Sequence, residues 1–458
     1  MKQFRIKFQN LLVISLITFL STSCLTSLSQ RPKHMVRTMF NISPKSEAPG
    51  SPKFEEDMSR LTKSKLIDGN IATPLFNGEQ VYPKMIDLIK NSKEKICLEV
   101  YIFRNDSTGN IFQNELILAK KMNKTDVFVM IDDVGNDLGC RKILKPLKAE
   151  GIKTKVFNPV LNWTLMHWNQ RNHSKIFTVD SQYAVVSGLN IGNEYNGDGT
   201  NGFRDTGVFL HGPIVQELEN SFFKTWKQGG YGWFEKDLPI IGINAAKRGF
   251  DKGILSFIGQ YKEPSPTAKP PLEKPGNIKA RLVTSAPDNF SSHLEDMYLL
   301  AINSAKEKVY ITTSYFVPTI LLTKALKNAG KRGVDVRILL QGKTDQNFIR
   351  QFAINKYKQL LKNKVQLFEW HSSILHAKTI VVDGIWTSIG SCNMDGRSFF
   401  LNYEANIAIT DKDFATQMEN QFLLDLSSAE KVTRKYWEKR KWYNILAGLI
   451  LAPVKGQF

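Results

Sequence analysis

The feature that most constrains this chain is a polar pattern that occurs twice, once in each half of the sequence. The pattern is His-x-Lys, four residues and then Asp, formed by His173, Lys175 and Asp180 and again by His376, Lys378 and Asp383. An asparagine follows each histidine by 17 positions, as Asn190 and Asn393. One copy is a weak signal because it fixes only three residues. Two copies with matched spacing indicate a duplicated functional unit.

The residues between Lys and Asp predict a buried strand in each copy. They are apolar, β-branched or aromatic, in Ile176–Val179 and Thr379–Val382. Residues two apart on a strand point to the same face, so each His–Lys pair should project into one space. Asp383-Gly384 is a strong two-residue hairpin signal and Asp180-Ser181 is a weaker one. Each return strand should bring its asparagine back beside the histidine.

A longer repeat of helix, strand, helix and strand surrounds the pattern. Its elements are helices at Tyr82–Ile89 and Leu294–Ile302, first strands at Lys93–Phe103 and Lys306–Phe316, and second strands at Val127–Ile131 and Val334–Leu340. We therefore expect an α/β fold of two similar domains packed with pseudo-twofold symmetry. Each domain should contain a mixed, mostly parallel sheet flanked by helices.

The sequence divides into six predicted segments. They are a signal or anchor at 1–30, a tether at 31–70, a first domain at 71–261, a proline-rich linker at 262–276, a second domain at 277–430 and a C-terminal segment at 431–458. The last segment joins basic and aromatic residues to the uncharged run Ile445–Val454. That pattern favours interfacial membrane binding, although a helix docked on the core is the alternative.

The N-terminus has the pattern of an export signal. Three basic residues precede the apolar run Leu11–Leu20. Residues up to Cys24 resemble a bacterial lipobox, with Ser21 where leucine is usual, so Cys24 is a weak candidate for lipid attachment. An uncleaved signal anchor is the rival interpretation. Both predict an exported, membrane-associated protein of a bacterium, on the periplasmic or outer face.

Charge and composition narrow the class of partner. The chain has 62 basic and 43 acidic residues, a net charge of +19, which favours nucleic acid, anionic lipid or a phosphate-bearing substrate. Hydrophobic residues at 42% exclude a wholly disordered chain and a polytopic membrane protein. The 4 scattered cysteines exclude a disulfide scaffold.

The repeated side chains suit chemistry at a phosphate. Histidine can attack phosphorus or move a proton near neutral pH, and lysine is a compact cation for phosphate oxygens. Asparagine adds neutral hydrogen-bond donors for developing negative charge. Two copies supply one nucleophile and one proton donor on opposite sides of a phosphate.

The duplicated signature resembles that of the phospholipase D superfamily, and further motifs resemble its bacterial cardiolipin synthase branch. These motifs are Arg171-Asn172, Phe203-Arg204-Asp205 (where tryptophan is usual in place of Phe203), Ser314–Pro318 and Asn393–Ser398. Glu404 matches a family carboxylate that bonds the catalytic histidine. Asp205 occupies the comparable place in the first half, 32 residues after His173 against 28 from His376 to Glu404.

The resemblance implies a two-step mechanism without metal or cofactor. His173 attacks the phosphodiester and His376 protonates the leaving alcohol, although near-symmetry leaves the reverse assignment open. Lys175 and Lys378, with Asn190, Asn393 and Ser391, are expected to hold the phosphate. Asp205 and Glu404 are expected to fix the imidazole tautomers, while Asp180 and Asp383 are expected to be structural.

The resemblance implies a phosphatidyltransferase whose partners are a phosphatidylglycerol-like phospholipid, an alcohol acceptor and a membrane surface. The alternatives are a phospholipase D hydrolase that releases phosphatidic acid, a phosphodiesterase acting on nucleic acid, and a non-catalytic lipoprotein. Nucleic acid is disfavoured by the lipid-facing C-terminal pattern, and no protein partner is implied.

Overall fold

The computed structural model describes residues 43–136, 140–159, 169–228, 275–287, 292–344, 354 and 356–433. The strands are β1 Ile67–Phe76, β2 Lys95–Val100, β3 Asp126–Asp132, β4 Lys153–Phe157, β5 Arg171–Asn172, β6 Ile176–Val179, β7 Tyr183–Ser187, β8 Thr206–His211, β9 Ile278–Ser285, β10 Lys308–Thr313, β11 Phe316–Val317, β12 Asp335–Gln341, β13 Gln366–Trp370, β14 Lys378–Val382, β15 Trp386–Gly390, β16 Met394–Asp395, β17 Asn402–Thr410 and β18 Glu430–Lys431. The α-helices discussed below are α1 Pro52–Thr62, α2 Asn77–Lys90, α3 Ser107–Met122, α4 Cys140–Ala149, α5 Ile214–Gln228, α6 His293–Ser304, α7 Ile320–Lys331, α8 Gly396–Phe400 and α9 Lys412–Ser427.

One large mixed sheet runs through both halves of the protein. Its strand order is β18-β13-β12-β10-β14-β15-β17-β9-β1-β8-β7-β6-β2-β3-β4. Apart from the edge strand β18, this order is symmetric about the antiparallel pair β1–β9. The α/β class and the duplication are therefore confirmed, and the pseudo-twofold relation is visible in the strand order.

The prediction of mostly parallel sheets is wrong. Along the main strand order of the described residues, each half has only two parallel pairs, β2–β3 and β3–β4 in the first and β10–β12 and β12–β13 in the second. The hairpins β6–β7 and β14–β15 carry the signatures and run antiparallel to their neighbours. Three residues join the paired strand ends of each hairpin, and so short a connection can join only antiparallel strands.

The two signature hairpins use the same turn. Asp180 and Ser181 have φ of 54° and 56°, and Asp383 and Gly384 have φ of 51° and 63°. Two successive positive φ values define the type I′ turn, which matches the twist of the flanking strands. The weaker sequence signal therefore adopts the same geometry as the stronger one.

Each half has its own hydrophobic core, and a third hydrophobic core lies between the halves. Helices α2, α3 and α4 cover one sheet face of the first half, while α6 and α7 cover the second. The shared core places Val186 and Leu218 of the first half with Val381, Ile407 and Phe414 of the second. Because all five are buried, the halves bury apolar surface against each other.

The predicted tether at 31–70 is wrong from residue 52 onward. Ser51 caps α1, and Phe54 and Met58, four residues apart on one helix face, are fully buried against the core of the second half. Residues 67–70 already belong to β1, the strand that joins the two halves. The proposed first-domain boundary at 71 therefore falls within a strand.

The C-terminal boundary also shifts. Lys431 pairs with Phe368 on β13, and Val432 is buried in the core, so the sheet continues past residue 430. Residues 1–42, residues 262–274 of the linker and residues 434–458 lie outside the described residues. Within the part of the chain that the structure describes, no helix is both long and apolar enough to cross a bilayer.

Candidate active site

Backbone pairing between the halves positions both histidines. Strand β5, immediately before His173, runs parallel to the start of β17, and the His173 N–H donates to the Tyr403 carbonyl at 2.9 Å. On the other side Arg204 bridges to Leu375, and the His376 N–H donates to the Arg204 carbonyl at 2.7 Å. Each histidine is therefore attached to the segment that carries the other half's carboxylate.

The carboxylates consequently cross between the halves. His173 Nδ1 lies 3.0 Å from both Oε1 and Oε2 of Glu404, and His376 Nδ1 lies 2.6 Å from Oδ2 of Asp205. The sequence places each carboxylate downstream of the histidine in its own half, yet each binds the histidine of the opposite half. With Nδ1 of each ring donating to a carboxylate, Nε2 is the nitrogen left for the phosphate.

The two lysines support the loops that hold the histidines. Lys175 Nζ donates to the His173 carbonyl at 2.6 Å, and Lys378 Nζ donates to the His376 carbonyl. Both lysines are buried. An ammonium group has three donors, so Lys175 keeps donors beyond this bond.

Burial and the neighbouring charges set the protonation states. Burial lowers the pKa of His173 to about 4, against the opposing effect of Glu404. Burial, aided by Lys378, lowers the pKa of His376. Burial also lowers the pKa of Lys175 to about 7. At neutral pH His173 is therefore an uncharged imidazole with a free Nε2, the form that a nucleophile requires.

Glu404 stays ionised although it is fully buried. Burial alone would raise its pKa, but His173, Lys175 and the Ser391 hydroxyl together hold the pKa below its usual value. Ser391 Oγ donates to Glu404 Oε2 at 2.5 Å and accepts the Ala405 N–H at 3.0 Å. The expectation that Ser391 binds phosphate is therefore wrong, because its hydroxyl is buried and engaged with the carboxylate.

A glycine in the first half takes the place of Ser391. Gly188 stands 15 residues after His173, as Ser391 stands 15 after His376. A Cβ at Gly188 would lie 2.3 Å from Asp205 Oδ1, so any larger residue would displace that carboxylate. The shorter Asp205 side chain therefore packs directly against Gly188, whereas the longer Glu404 side chain accepts a hydrogen bond from Ser391.

The two signature asparagines have different partners. Asn190 Oδ1 accepts the Ile102 N–H at 3.1 Å, and its Nδ2 donates to the Tyr195 hydroxyl at 2.8 Å. Asn393 Oδ1 accepts from the Ser314 hydroxyl at 3.0 Å, and its Nδ2 has no hydrogen bond within the described residues. Asn393 therefore keeps both Nδ2 donors, whereas Asn190 keeps one, and the phosphate role of Asn190 stays a prediction.

Aromatic rings beside the histidines were not assigned a role from the sequence. The Tyr101 ring lies 5.1 Å from the His173 ring and 5.4 Å from Lys175 Nζ. Tyr195 and Phe203 lie 5.4 Å and 6.0 Å from the His376 ring, centroid to centroid. The position of Tyr195, five residues after Asn190, is the sequence feature that could have indicated an aromatic residue near the site.

The remaining predicted residues lie away from the histidines. Asp180 accepts the N–H groups of residues 93–95, and Asp383 accepts those of residues 306–308. Both aspartates therefore tie the signature hairpin to the neighbouring strand, as expected of a structural role. Cys24 lies outside the described residues. Within the part of the chain that is described, no group of three or more His, Cys, Asp or Glu could hold a metal ion.

Comparison with known proteins agrees with this geometry. The family described as cardiolipin synthase, PLD-like domain matches residues 85–226 and 298–426, one segment in each half. A cardiolipin synthase of Clostridium perfringens (strain 13 / Type A) is 33% identical over 390 residues, which cover 84% of this chain and 76% of that protein. A cardiolipin synthase of Staphylococcus aureus (strain Mu50 / ATCC 700699) is 30% identical over 385 residues, 82% of this chain and 72% of that protein.

A solved structure has the same fold. The phosphatidylserine synthase of Haemophilus influenzae Rd KW20 superposes with a TM-score of 0.61 at 15% identity, covering 88% of this chain and 98% of its own. The family match covers more than half of the chain and both relatives are at least 30% identical to it, so the chain belongs to the phospholipase D superfamily. Within that superfamily the matched family and both relatives place the chain in the cardiolipin synthase-like branch.

Proposed function

We propose that the protein is a phosphatidyltransferase that moves a phosphatidyl group between phospholipid and alcohol through a phosphohistidine. The two relatives above carry the name cardiolipin synthase, which supports a phospholipid as substrate. The single observation that carries the proposal is the pair of histidines, each oriented by a buried carboxylate from the other half.

In the first step His173 Nε2 attacks phosphorus while the bond from phosphorus to the leaving alcohol breaks. Glu404 accepts the Nδ1–H and stabilises the positive charge that develops on the ring. His376 Nε2 gives its proton to the leaving oxygen. The anionic phosphate of the bound lipid favours the protonated form of His376, because an opposite charge nearby favours the charged form.

In the second step an acceptor alcohol replaces the leaving group. His376 Nε2 takes the hydroxyl proton as the acceptor oxygen attacks phosphorus, and the P–N bond to His173 breaks. The Nδ2 donors of Asn393, the remaining donors of Lys175 and the positive charge of Lys378 stabilise the phosphate oxygens in both steps. The products are a new phosphodiester and the original enzyme.

The test compares lipid extracts from bacteria that express the protein or its His173→Ala variant. New cardiolipin that depends on His173 supports transfer. Phosphatidic acid without cardiolipin overturns transfer in favour of hydrolysis, which uses the same intermediate with water as acceptor. Degradation of plasmid DNA by the purified protein, without a change in lipids, would favour a nuclease.

We further propose that the protein is exported and associates with a membrane. The N-terminal pattern supports this, and so does a surface cleft of about 500 Å³ beside the point where the described chain begins. Four cations line the cleft, Lys45, Lys324, Lys331 and Arg332, and none of its lining residues is acidic. Such a cleft suits the phosphate groups of anionic lipids.

Membrane association is tested with vesicles of phosphatidylglycerol and of phosphatidylcholine. We expect sedimentation with the former and loss of that binding at high salt, because exposed charges are screened. The double variant Lys324→Ala/Lys331→Ala should bind less well than Lys142→Ala/Lys145→Ala, which removes two exposed lysines from α4. Equal binding by the two variants would contradict a role for the cleft.

A further inference from the structure

Two aromatic rings from the first half lie against the histidine of the second half. Tyr195 meets the His376 ring edge-on at 5.4 Å, Phe203 meets it at 6.0 Å, and the two aromatic rings lie 4.8 Å apart. The His376 side chain is 6% exposed, against 12% for His173. The ring expected to act as acid and base is thus the more enclosed of the two.

The Tyr195 ring is fixed at both ends. Its hydroxyl accepts from Asn190 Nδ2 at 2.8 Å, and Asn190 is itself held by the Ile102 N–H. The Phe203 N–H donates to the Glu194 carbonyl at 2.8 Å, which ties the segment before Asp205 to the turn that carries Tyr195. Asn190 therefore positions Tyr195, and Tyr195 in turn contacts His376.

Among the described residues, no pair of rings at the matching positions lies against His173, whose ring contacts Tyr101. The position that matches Tyr195 is Ser398, five residues after Asn393, and the position that matches Phe203 is Asn402, two residues before Glu404. Asn402 Nδ2 donates to Glu404 Oε1 at 3.3 Å, so this position is polar and supports the carboxylate. The aromatic pair is thus a difference between the half-sites rather than a feature of the repeat.

We propose that Tyr195 and Phe203 form an aromatic wall that keeps water from His376 and so directs the intermediate to an alcohol. This inference rests on the proposed function. Water and the acceptor hydroxyl compete for one position, where His376 Nε2 takes a proton while the P–O bond forms and the P–N bond breaks. An aromatic surface offers water no strong hydrogen-bond partner, whereas a lipid alcohol brings apolar groups that pack on the rings.

The measurement is the ratio of cardiolipin to phosphatidic acid made by the purified full-length protein from phosphatidylglycerol in detergent micelles. Phe203→Ala opens the wall, and we expect the ratio to fall roughly tenfold, a change of about 1.4 kcal/mol in the competing barriers. Phe203→Trp keeps an aromatic ring and should keep the ratio. Phe203→Gln preserves much of the volume but offers water a partner, so the ratio should fall there too.

The ratio separates a water barrier from a general structural effect. Asn402→Ala is the matched variant beside His173, and it should lower total turnover without changing the ratio. An unchanged ratio in both Phe203→Ala and Phe203→Gln, or an equal fall in Asn402→Ala, overturns the wall. A wild-type protein that makes neither product overturns the proposed function and the wall with it, which is a distinct result.

Discussion

The two half-sites have the same arrangement of strands and turns. They differ in the residues that pack below the histidine. In the first half Arg171 pairs with the fully buried Asp132, Asn172 donates its N–H to Asp132 at 2.9 Å, and Asn172 Nδ2 donates to Glu99 at 2.7 Å. The same positions of the second half carry Ile374 for Arg171, Gln341 for Asp132, Leu375 for Asn172 and Thr312 for Glu99.

This difference shows which features the duplicated fold requires. The hairpin, its aspartate cap, the lysine and the crossed carboxylate occur twice, so both halves need them to present a histidine. Uncharged residues replace Arg171, Asp132 and Glu99 in the second half, so presentation of a histidine does not require these three ionisable groups. They belong to the half whose histidine we assign as nucleophile, and the predictions below test whether the two halves differ in role as well.

The largest effect should come from the histidines. His173→Ala and His376→Ala should each lower turnover by on the order of 10⁴-fold, because nucleophile and acid act as a unit. With a phosphate-labelled nitrophenyl phosphodiester, whose leaving group needs no acid, His376→Ala should accumulate an acid-labile label on His173, and His173→Ala should show none. A label on His376 in the His173→Ala protein would reverse the two roles.

The crossed carboxylates should separate the two steps. Glu404→Gln and Asp205→Asn should each cost about 10² to 10⁴ in turnover on the natural lipid, because they disturb the imidazole tautomer. A nitrophenyl phosphodiester needs no acid for its leaving group, so release of nitrophenol should survive in Asp205→Asn and be lost in Glu404→Gln. The opposite pattern would mean that each carboxylate serves the histidine of its own half.

Part of this arrangement could be predicted from the sequence. The matched spacing of histidine, lysine, aspartate and asparagine gave the hairpins, because a strand with a two-residue turn depends on local residues. The crossing of Asp205 and Glu404 could not be read this way. It depends on β5 pairing with β17, and the residues concerned, Asn172 and Tyr403, are far apart in the chain.

The errors have physical causes of the same kind. The Ser391 hydroxyl has the chemistry to bind phosphate, but the longer Glu404 side chain brings a carboxylate within its reach. Helix α1 falls within the predicted tether because its sequence is mostly polar, and only Phe54 and Met58 among its residues are apolar and buried. A helix with so narrow an apolar face is recognised only when the surface that it covers is known.

Glu99, one of the two buried acids below His173, should make stability depend on pH. Burial raises the pKa of Glu99 to about 8, and its Oε2 has no partner among the described residues. The folded protein therefore holds a proton that the unfolded chain releases near pH 4.5, so Glu99 lowers the free energy of unfolding as pH rises from about 4.5 to 8.

Glu99→Gln keeps an oxygen that accepts from Asn172 but cannot ionise. The variant should therefore not lose free energy of unfolding through this group as pH rises. In urea titrations between pH 5 and pH 8, the variant should gain on the wild type by at most about 1.4 kcal/mol per pH unit. Thr312→Val, at the same position of the second half, should track the wild type at every pH. A constant offset between Glu99→Gln and the wild type would show that Glu99 is ionised in the folded protein.

The smallest effect should come from the turns, where the halves agree. Gly384 has φ of 63°, and a Cβ there would lie 3.5 Å from the Lys308 side chain and 3.6 Å from Glu419 Oε2, so space is not limiting. Gly384→Ser copies the Asp-Ser turn of the first half, and the left-handed backbone alone should cost about 1 kcal/mol. Ser181 offsets that strain through its hydroxyl, which donates to the buried Glu219 at 2.7 Å. Gly384→Ser should therefore lower the urea midpoint slightly, and a loss above about 3 kcal/mol would mean that the turn does more than join two strands.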